Sequence, residues 1–150
     1  MSKAAAWIMN INEQLYASVS QMELVHIINE PCYTAIPGAP AYCHKVIVWN
    51  DNILPVIDLS GLLNSAAVQS KREVVAVIIY RNGNDEIHYG GIILAKSPDL
   101  EFVENTQLCS LPTHTQKLKE IALSCFKSRA GHEVPILDMT RVFSSVAAPG

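Results

Sequence analysis

Apolar and polar positions alternate in short runs along this chain, a pattern that predicts strands rather than long helices. Trp7 to Ile11 and Gln14 to Ser18 read as two strands around a tight turn at Asn12-Glu13. Ser20 and Glu23 form a capping-box pattern, with Val19 and Leu24 placed as a hydrophobic staple, so a short helix is expected to end before Asn29-Glu30-Pro31. Pro37-Gly38-Ala39-Pro40 is a loop by composition. Cys43 to Trp49 and Ile53 to Ile57 read as a hairpin joined through Asn50-Asp51-Asn52, residue types that tolerate left-handed dihedrals. Ser65 to Ser70 is small and polar, the best candidate for a linker between halves. Val74 to Tyr80 is a continuous β-branched run, expected as a central strand buried on both faces. Asn82-Gly83 turns it into Glu86 to Leu94, where Gly90-Gly91 marks a bulge or a close backbone contact. Thr113 to Phe126 fits two templates. Leu118, Ile121, Ala122, Cys125 and Phe126 make a helical stripe, whereas Ile121, Leu123 and Cys125 alternate as in a strand; taken alone, the helical match is slightly the better. Val146 to Gly150 reads as a loose tail.

One pattern occurs twice. Ile53-Leu54-Pro55-Val56-Ile57-Asp58-Leu59-Ser60-Gly61-Leu62-Leu63 is echoed by Glu133-Val134-Pro135-Ile136-Leu137-Asp138-Met139-Thr140-Arg141-Val142-Phe143. In both copies an apolar run containing one Pro ends in Asp, and apolar residues at helical spacing follow. Asp suits that junction because its carboxylate accepts from the free N–H groups of the next helical turn and is favoured by the positive helix end. Pro removes a ladder donor, so each strand is expected at a sheet edge or with a bulge. The repeat predicts two similar small subdomains packed against each other.

Composition narrows the function. With 49% apolar and 17% charged residues, the 150-residue chain is not a disordered protein, and halves of this size are expected to share a core. The net charge is −3 and no basic cluster exceeds Lys71-Arg72, so no nucleic-acid interface is expected. Cys32, Cys43, Cys109 and Cys125 form no CxxC pair. Ala4 to Met9 is too short for a signal-peptide core, and Val74 to Tyr80 falls far below the roughly 20 residues that span a bilayer. The expectation is a cytoplasmic protein with reduced thiols and no membrane insertion.

Catalytic chemistry finds little support. A duplicated Asp in a β-rich chain raises the aspartic-protease dyad, in which Asp58 and Asp138 would share a proton. That chemistry uses Asp followed by Thr or Ser and then Gly, whereas Leu59 and Met139 intervene here, so two helix N-caps are the favoured reading. His26, His44, His88, His114 and His132 have no ligand spacing, and neither a GxSxG elbow nor a phosphate-cradling glycine loop is present. No metal, no cofactor and no enzymatic activity are expected. Trp49, at the hairpin tip, fits either a plug for the barrel end or a binding hot spot.

The stretch from Ile36 to Leu59, centred on Ile53-Leu54-Pro55-Val56-Ile57-Asp58-Leu59, resembles the core signature of CheW-like domains. Trp7 to Ile28 looks like that family's opening strands and helix, Val74 to Leu94 like the first hairpin of its second barrel, and Ala130-Gly131 to Phe143 like its closing strand. The resemblance implies a mainly β fold of two intertwined five-stranded SH3-like barrels sharing a core, with a few short helices. The first barrel would span about 15–65 and the second about 72–143, with the N-terminal strand region joining the latter. It also moves Ile121 to Phe126 from helix to strand.

In function the resemblance implies a non-enzymatic adaptor that couples the cytoplasmic tips of chemoreceptors to the regulatory domain of a chemotaxis-type histidine kinase. Two surfaces are expected: the edge and turn of the first barrel around Lys45, Trp49, Asn50 and Asp51, and an apolar groove between barrels including Leu24, Ile27 and Ile28. Plain core packing is the competing account of the last three. The chain departs from the family pattern at Lys45, where Gly is usual, at Asn50-Asp51, where the turn usually carries Arg-Gly, and at Ala95, where Asp is frequent. An intact barrel signature with an altered turn implies a divergent adaptor, of a chemosensory pathway controlling type IV pili instead of flagella.

Overall fold

The computed structural model describes residues 3–12, 15–38, 45–62, 73–111 and 116–147. The chain forms β1 (Lys3–Asn12), β2 (Leu15–Ser20), β3 (Leu24–Ile28), β4 (Thr34–Ala35), β5 (Lys45–Trp49), β6 (Asn52–Ile57), α1 (Leu59–Leu62), β7 (Val74–Arg81), β8 (Ile87–Leu94), β9 (Asp99–Glu104), α2 (Gln116–Ile121), β10 (Ala122–Lys127), β11 (Glu133–Leu137) and α3 (Met139–Ala147). A 3₁₀ turn at Asn105–Gln107 follows β9. The strands build two curled sheets: the first barrel, of order β10-β11-β2-β1-β9, and the second barrel, of order β3-β7-β8-β6-β5-β4, which holds the β5–β6 hairpin that the resemblance places in the first.

Read from either end, the two sheets are assembled alike. A central antiparallel hairpin, β1–β2 in one and β7–β8 in the other, takes a parallel strand against its second member, β11 or β6. The edge beside the hairpin's first member is β9 in one sheet and β3 in the other. Each sheet therefore combines the opening hairpin of one half with the later strands of the other half. Neither sheet is a contiguous stretch such as 15–65 or 72–143, because β7 and β8 pair with strands from the first half. The two-residue β4 brings the second sheet to six strands.

The alternation of side chains explains three apolar clusters. In β7, Val74, Ala76 and Ile78 face a large shared core, while Val75 and Val77 face the interior of the second barrel. Both faces of β7 are covered, as its unbroken apolar run predicts. In β1, Met9 and Ile11 join the shared core, and Ala6 enters a third cluster with Val103, Phe126 and Val134 inside the first barrel. Leu118 and Ile121 of α2 and Val142 and Phe143 of α3 cap the shared core.

Several expectations need correction. The Ser20 capping pattern makes one turn only: the Ser20 N–H donates to Glu23 Oε1 at 3.0 Å, and the Glu23 N–H to the Ser20 carbonyl at 3.1 Å. The chain then runs as β3, because β7 would otherwise present an unpaired edge and Val25, Ile27 and Ile28 suit a strand. Pro55 and Pro135 do not lie on edge strands. Each sits one residue ahead of the parallel ladder, which begins at Val56↔Gly91 and includes Ile136↔Ser18, so the missing donor is not needed there. The Gly90-Gly91 pair carries no bulge; the β7–β8 register is continuous, and the glycines admit side chains from neighbouring elements. Helix α2 ends at Ile121 and β10 begins at Ala122, so both templates seen in Thr113 to Phe126 are used, in succession. Helix α3 extends through Val146 and Ala147, which were expected in a tail. The Ser65–Ser70 linker, the aspects of the hairpin resting on Cys43 and His44, and residues 148–150 lie outside the described residues.

Candidate partner-binding surface

The hairpin β5–β6 closes through a two-residue turn in which Asn50 and Asp51 adopt φ of 47° and 62°. Two successive left-handed residues match the right-handed twist of the flanking strands, and Asn and Asp tolerate that conformation better than most side chains. Asn52 already belongs to β6, and its Nδ2 donates to the Asn50 carbonyl at 3.0 Å. Both turn residues are exposed.

Behind this turn the side chains separate by face. Trp49 is half-buried and packs on the cluster formed by Ile47, Leu54 and Val56 inside the second barrel. Its ring centroid lies 5.8 Å from that of His26 on β3 and 5.4 Å from that of Tyr89 on β8. These three rings join three strands at one end of the barrel. Lys45, at the other end of β5, is half-buried, with Nζ 4.6 Å from the centroid of Tyr33. Burial, with the neighbouring Glu73 carboxylate, raises the Tyr33 hydroxyl well above the usual tyrosine range. On the outer face, Val48 and Ile53 are cross-strand partners exposed to 68% and 72%. Two large apolar side chains displayed together beside a polar turn suit a contact surface.

The three β3 positions behave differently. Leu24 and Ile27 are half-buried against the shared core, and Ile28 against the interior of the second barrel. The large apolar side chains that this segment shows to solvent are Met22, exposed to 81%, and Val25. Next to it, a groove of about 340 Å³ is lined by Glu23, Ile79, Tyr80, Arg81, Ile87 and Thr140. The fold thus gathers Trp49, Asn50 and Asp51 with His26 and Tyr89, and sets Leu24, Ile27 and Ile28 inward. His26, Tyr89, Val48 and Ile53 are absent from the sequence-based expectation. Only the odd–even alternation about the Asn50-Asp51 turn, which puts Val48 and Ile53 opposite Trp49, could have pointed to the exposed pair.

The two repeated aspartates act as caps. Asp58 Oδ1 accepts from the Ser60 N–H at 3.1 Å and from the Ser60 hydroxyl. Asp138 Oδ1 accepts from the Thr140 and Arg141 N–H groups at 3.1 and 3.3 Å, and Oδ2 lies 3.4 Å from Arg141 Nε. Each carboxylate is committed to its own helix start, which leaves the dyad reading without geometric support. Among the described residues, no group of three His, Cys, Asp or Glu side chains is placed to hold a metal ion. No helix among them is long and apolar enough to cross a membrane.

Comparison with known proteins agrees with this geometry. No curated protein matches the sequence. The fold is similar to the crystal structure of the scaffolding protein TtCheW from Thermoanaerobacter tengcongensis, with a TM-score of 0.73 over 91% of this chain and 89% of that one, at 14% identity. The model of the CheW-like domain matches residues 6–147, nearly the whole chain, and CheW-like proteins are scaffolds and adaptors without enzymatic activity. With its duplicated strand–Asp–helix units, swapped sheets and shared core, the chain belongs to the CheW-like domain family.

Proposed function

We propose that this protein is a chemotaxis-type coupling adaptor whose second barrel docks on the regulatory domain of a histidine kinase and which also engages the cytoplasmic tip of a chemoreceptor. The observation that carries the reading is the β5–β6 tip, where Val48 and Ile53 are exposed beside the Asn50-Asp51 turn and Trp49 is anchored behind them. Family membership supports a coupling role, and an exposed apolar pair on a rigid hairpin fits reversible barrel-to-barrel contact. Lys45, Trp49, Asn50 and Asp51 form the binding edge. Leu24, Ile27 and Ile28 contribute by holding β3, which presents Val25 to the partner beside Met22 of the preceding turn. The altered turn, with Asn50-Asp51 in place of Arg-Gly, supports a diverged chemosensory pathway, such as one controlling type IV pili.

An interface of this kind would bury roughly 1,200–2,000 Å² or less and bind in the micromolar range. The test is a calorimetric titration against the regulatory domain of a co-encoded chemotaxis-type kinase, with and without a receptor-tip fragment. Saturable binding that weakens at least tenfold in Val48→Asp or Ile53→Asp protein supports the reading. Absence of binding at high concentration, with the variants and the parent alike folded, refutes it.

A further inference from the structure

Cys109 and Cys125 face each other where the chain leaving β9 returns to meet β10. Leu108 makes an antiparallel bridge with Phe126, and the Cys109 N–H donates to the Cys125 carbonyl at 3.0 Å. The two cysteines are thus directly opposed residues of an antiparallel pair, a placement whose Cα atoms are roughly 5.5 Å apart. Disulfides bridge Cα separations of about 4.4–6.8 Å, so the backbone is already in place for one. The side chains point the same way: both thiols are free, and the Cys109 thiol donates to Cys125 Sγ at 3.2 Å.

The geometry points to a redox clasp, in which a small hydroperoxide oxidises Cys109 and Cys125 to a disulfide tying the β9–α2 connection to β10. Exposure sets the order of events. Cys109 is partly exposed, whereas Cys125 is fully buried. Burial first, then the neighbouring Cys109, pushes the Cys125 thiol up to about 12 from its ordinary 9.0, so Cys109 is the thiol that meets the peroxide first. The Cys109 thiolate attacks the peroxide oxygen, the O–O bond breaks, and Cys109 becomes a sulfenic acid as alkoxide or hydroxide departs and takes a proton from solvent, the one the thiol had released. The Cys125 sulfur then attacks Cys109 Sγ and expels hydroxide, which takes the Cys125 proton and leaves as water. In sum, two thiols are oxidised by two electrons, and one hydroperoxide is reduced.

The clasp would enclose α2, whose Leu118 and Ile121 sit in the shared core, so oxidation should stabilise the fold. For a loop of this length the constraint corresponds to a melting-temperature rise of roughly 5–10 °C. The test uses full-length Cys32→Ser/Cys43→Ser protein treated with hydrogen peroxide, mapped as non-reduced peptides and melted. The expected result is a cross-linked peptide joining Cys109 to Cys125, with a rise in melting temperature that dithiothreitol reverses and that Cys109→Ser protein lacks. Oxidation of Cys109 to a sulfinic acid without cross-link would overturn the proposal, as would a cross-link that leaves the melting temperature unchanged. Should the double variant fold poorly, the same peptide map on the wild-type chain answers the question, because the pairing of all four cysteines is read directly.

Discussion

Replacing Gly90 with Ala adds one methyl group, yet the structure predicts a net loss of stability. The backbone at Gly90 needs no positive φ, since among the described glycines only Gly38 and Gly131 have one. On backbone grounds alone, Ala would therefore stabilise by about 0.4–1 kcal/mol through a less disordered unfolded chain. The new Cβ, however, would overlap Cε1 and Cζ of Phe143 and stand 2.9 Å from its Cδ1. Carbon atoms are comfortable at about 3.5–4.0 Å. Phe143 has little freedom to yield, being 2% exposed on α3 with its ring stacked on Tyr80 at 4.5 Å and 6°. Overpacking of this sort costs about 1–3 kcal/mol, and an overlap this deep with a held ring stands at about 2–3 kcal/mol, so a backbone gain of up to about 1 kcal/mol leaves a net loss of about 1–2 kcal/mol. In a chain of this size that lowers the melting temperature by roughly 2–8 °C. Reversible urea unfolding under reducing conditions, followed by tryptophan fluorescence, measures it. A double-mutant cycle with Phe143→Leu, which vacates the ring edge, should show a coupling of about 1–2 kcal/mol. If Gly90→Ala protein were as stable as the parent, or the coupling were zero, the close approach of α3 to β8 would not be what the glycine serves.

Asp51→Gly should stabilise the hairpin by about 0.5–1 kcal/mol, because the residue stands at φ 62° and Asn-Gly is the favoured pair for such a turn, whereas Asp51→Val should destabilise; thermal melts distinguish them. Asp138→Ala should cost about 1 kcal/mol by uncapping α3, and Asp138→Asn only a few tenths, a contrast that would be lost if the carboxylate's charge were the essential feature. Trp49→Ala should lower stability as well as partner affinity, since the ring packs on the second barrel's interior; unchanged unfolding would place it wholly at the surface. The raised Cys125 pKa fixes the sign of an alkaline effect. The unfolded thiol ionises first, so its contribution is fully present below pH 9.0 and is lost as pH rises towards about 12. Urea midpoints taken under reductant between pH 8 and 10 should fall less steeply in Cys125→Ala protein than in the parent.

Local chemistry by itself determined much of this molecule. The unbroken apolar run of Val74 to Tyr80 has no polar face to show water, so it had to be a strand covered on both sides. The Asp58 and Asp138 junctions place a carboxylate where a helix start has free N–H groups, and the Asn50-Asp51 pair supplies the two left-handed residues of a tight hairpin. The repeat itself announced two similar units. Tertiary pairing decided what a local pattern leaves open. Ser20 and Glu23 make their turn in the structure as the pattern predicts, but the bare edge of β7 converts the following residues to a strand, because ladder hydrogen bonds and burial outweigh a single cap. Nothing local distinguishes a glycine that bulges from one that admits the ring of Phe143, since the ring comes from a helix more than fifty residues away. The same holds for the site. The turn was visible in the chain, but the ring cluster of His26, Trp49 and Tyr89 exists only because strands from both halves are interleaved into one sheet, and the opposed thiols of Cys109 and Cys125 only because the chain leaving β9 returns against β10.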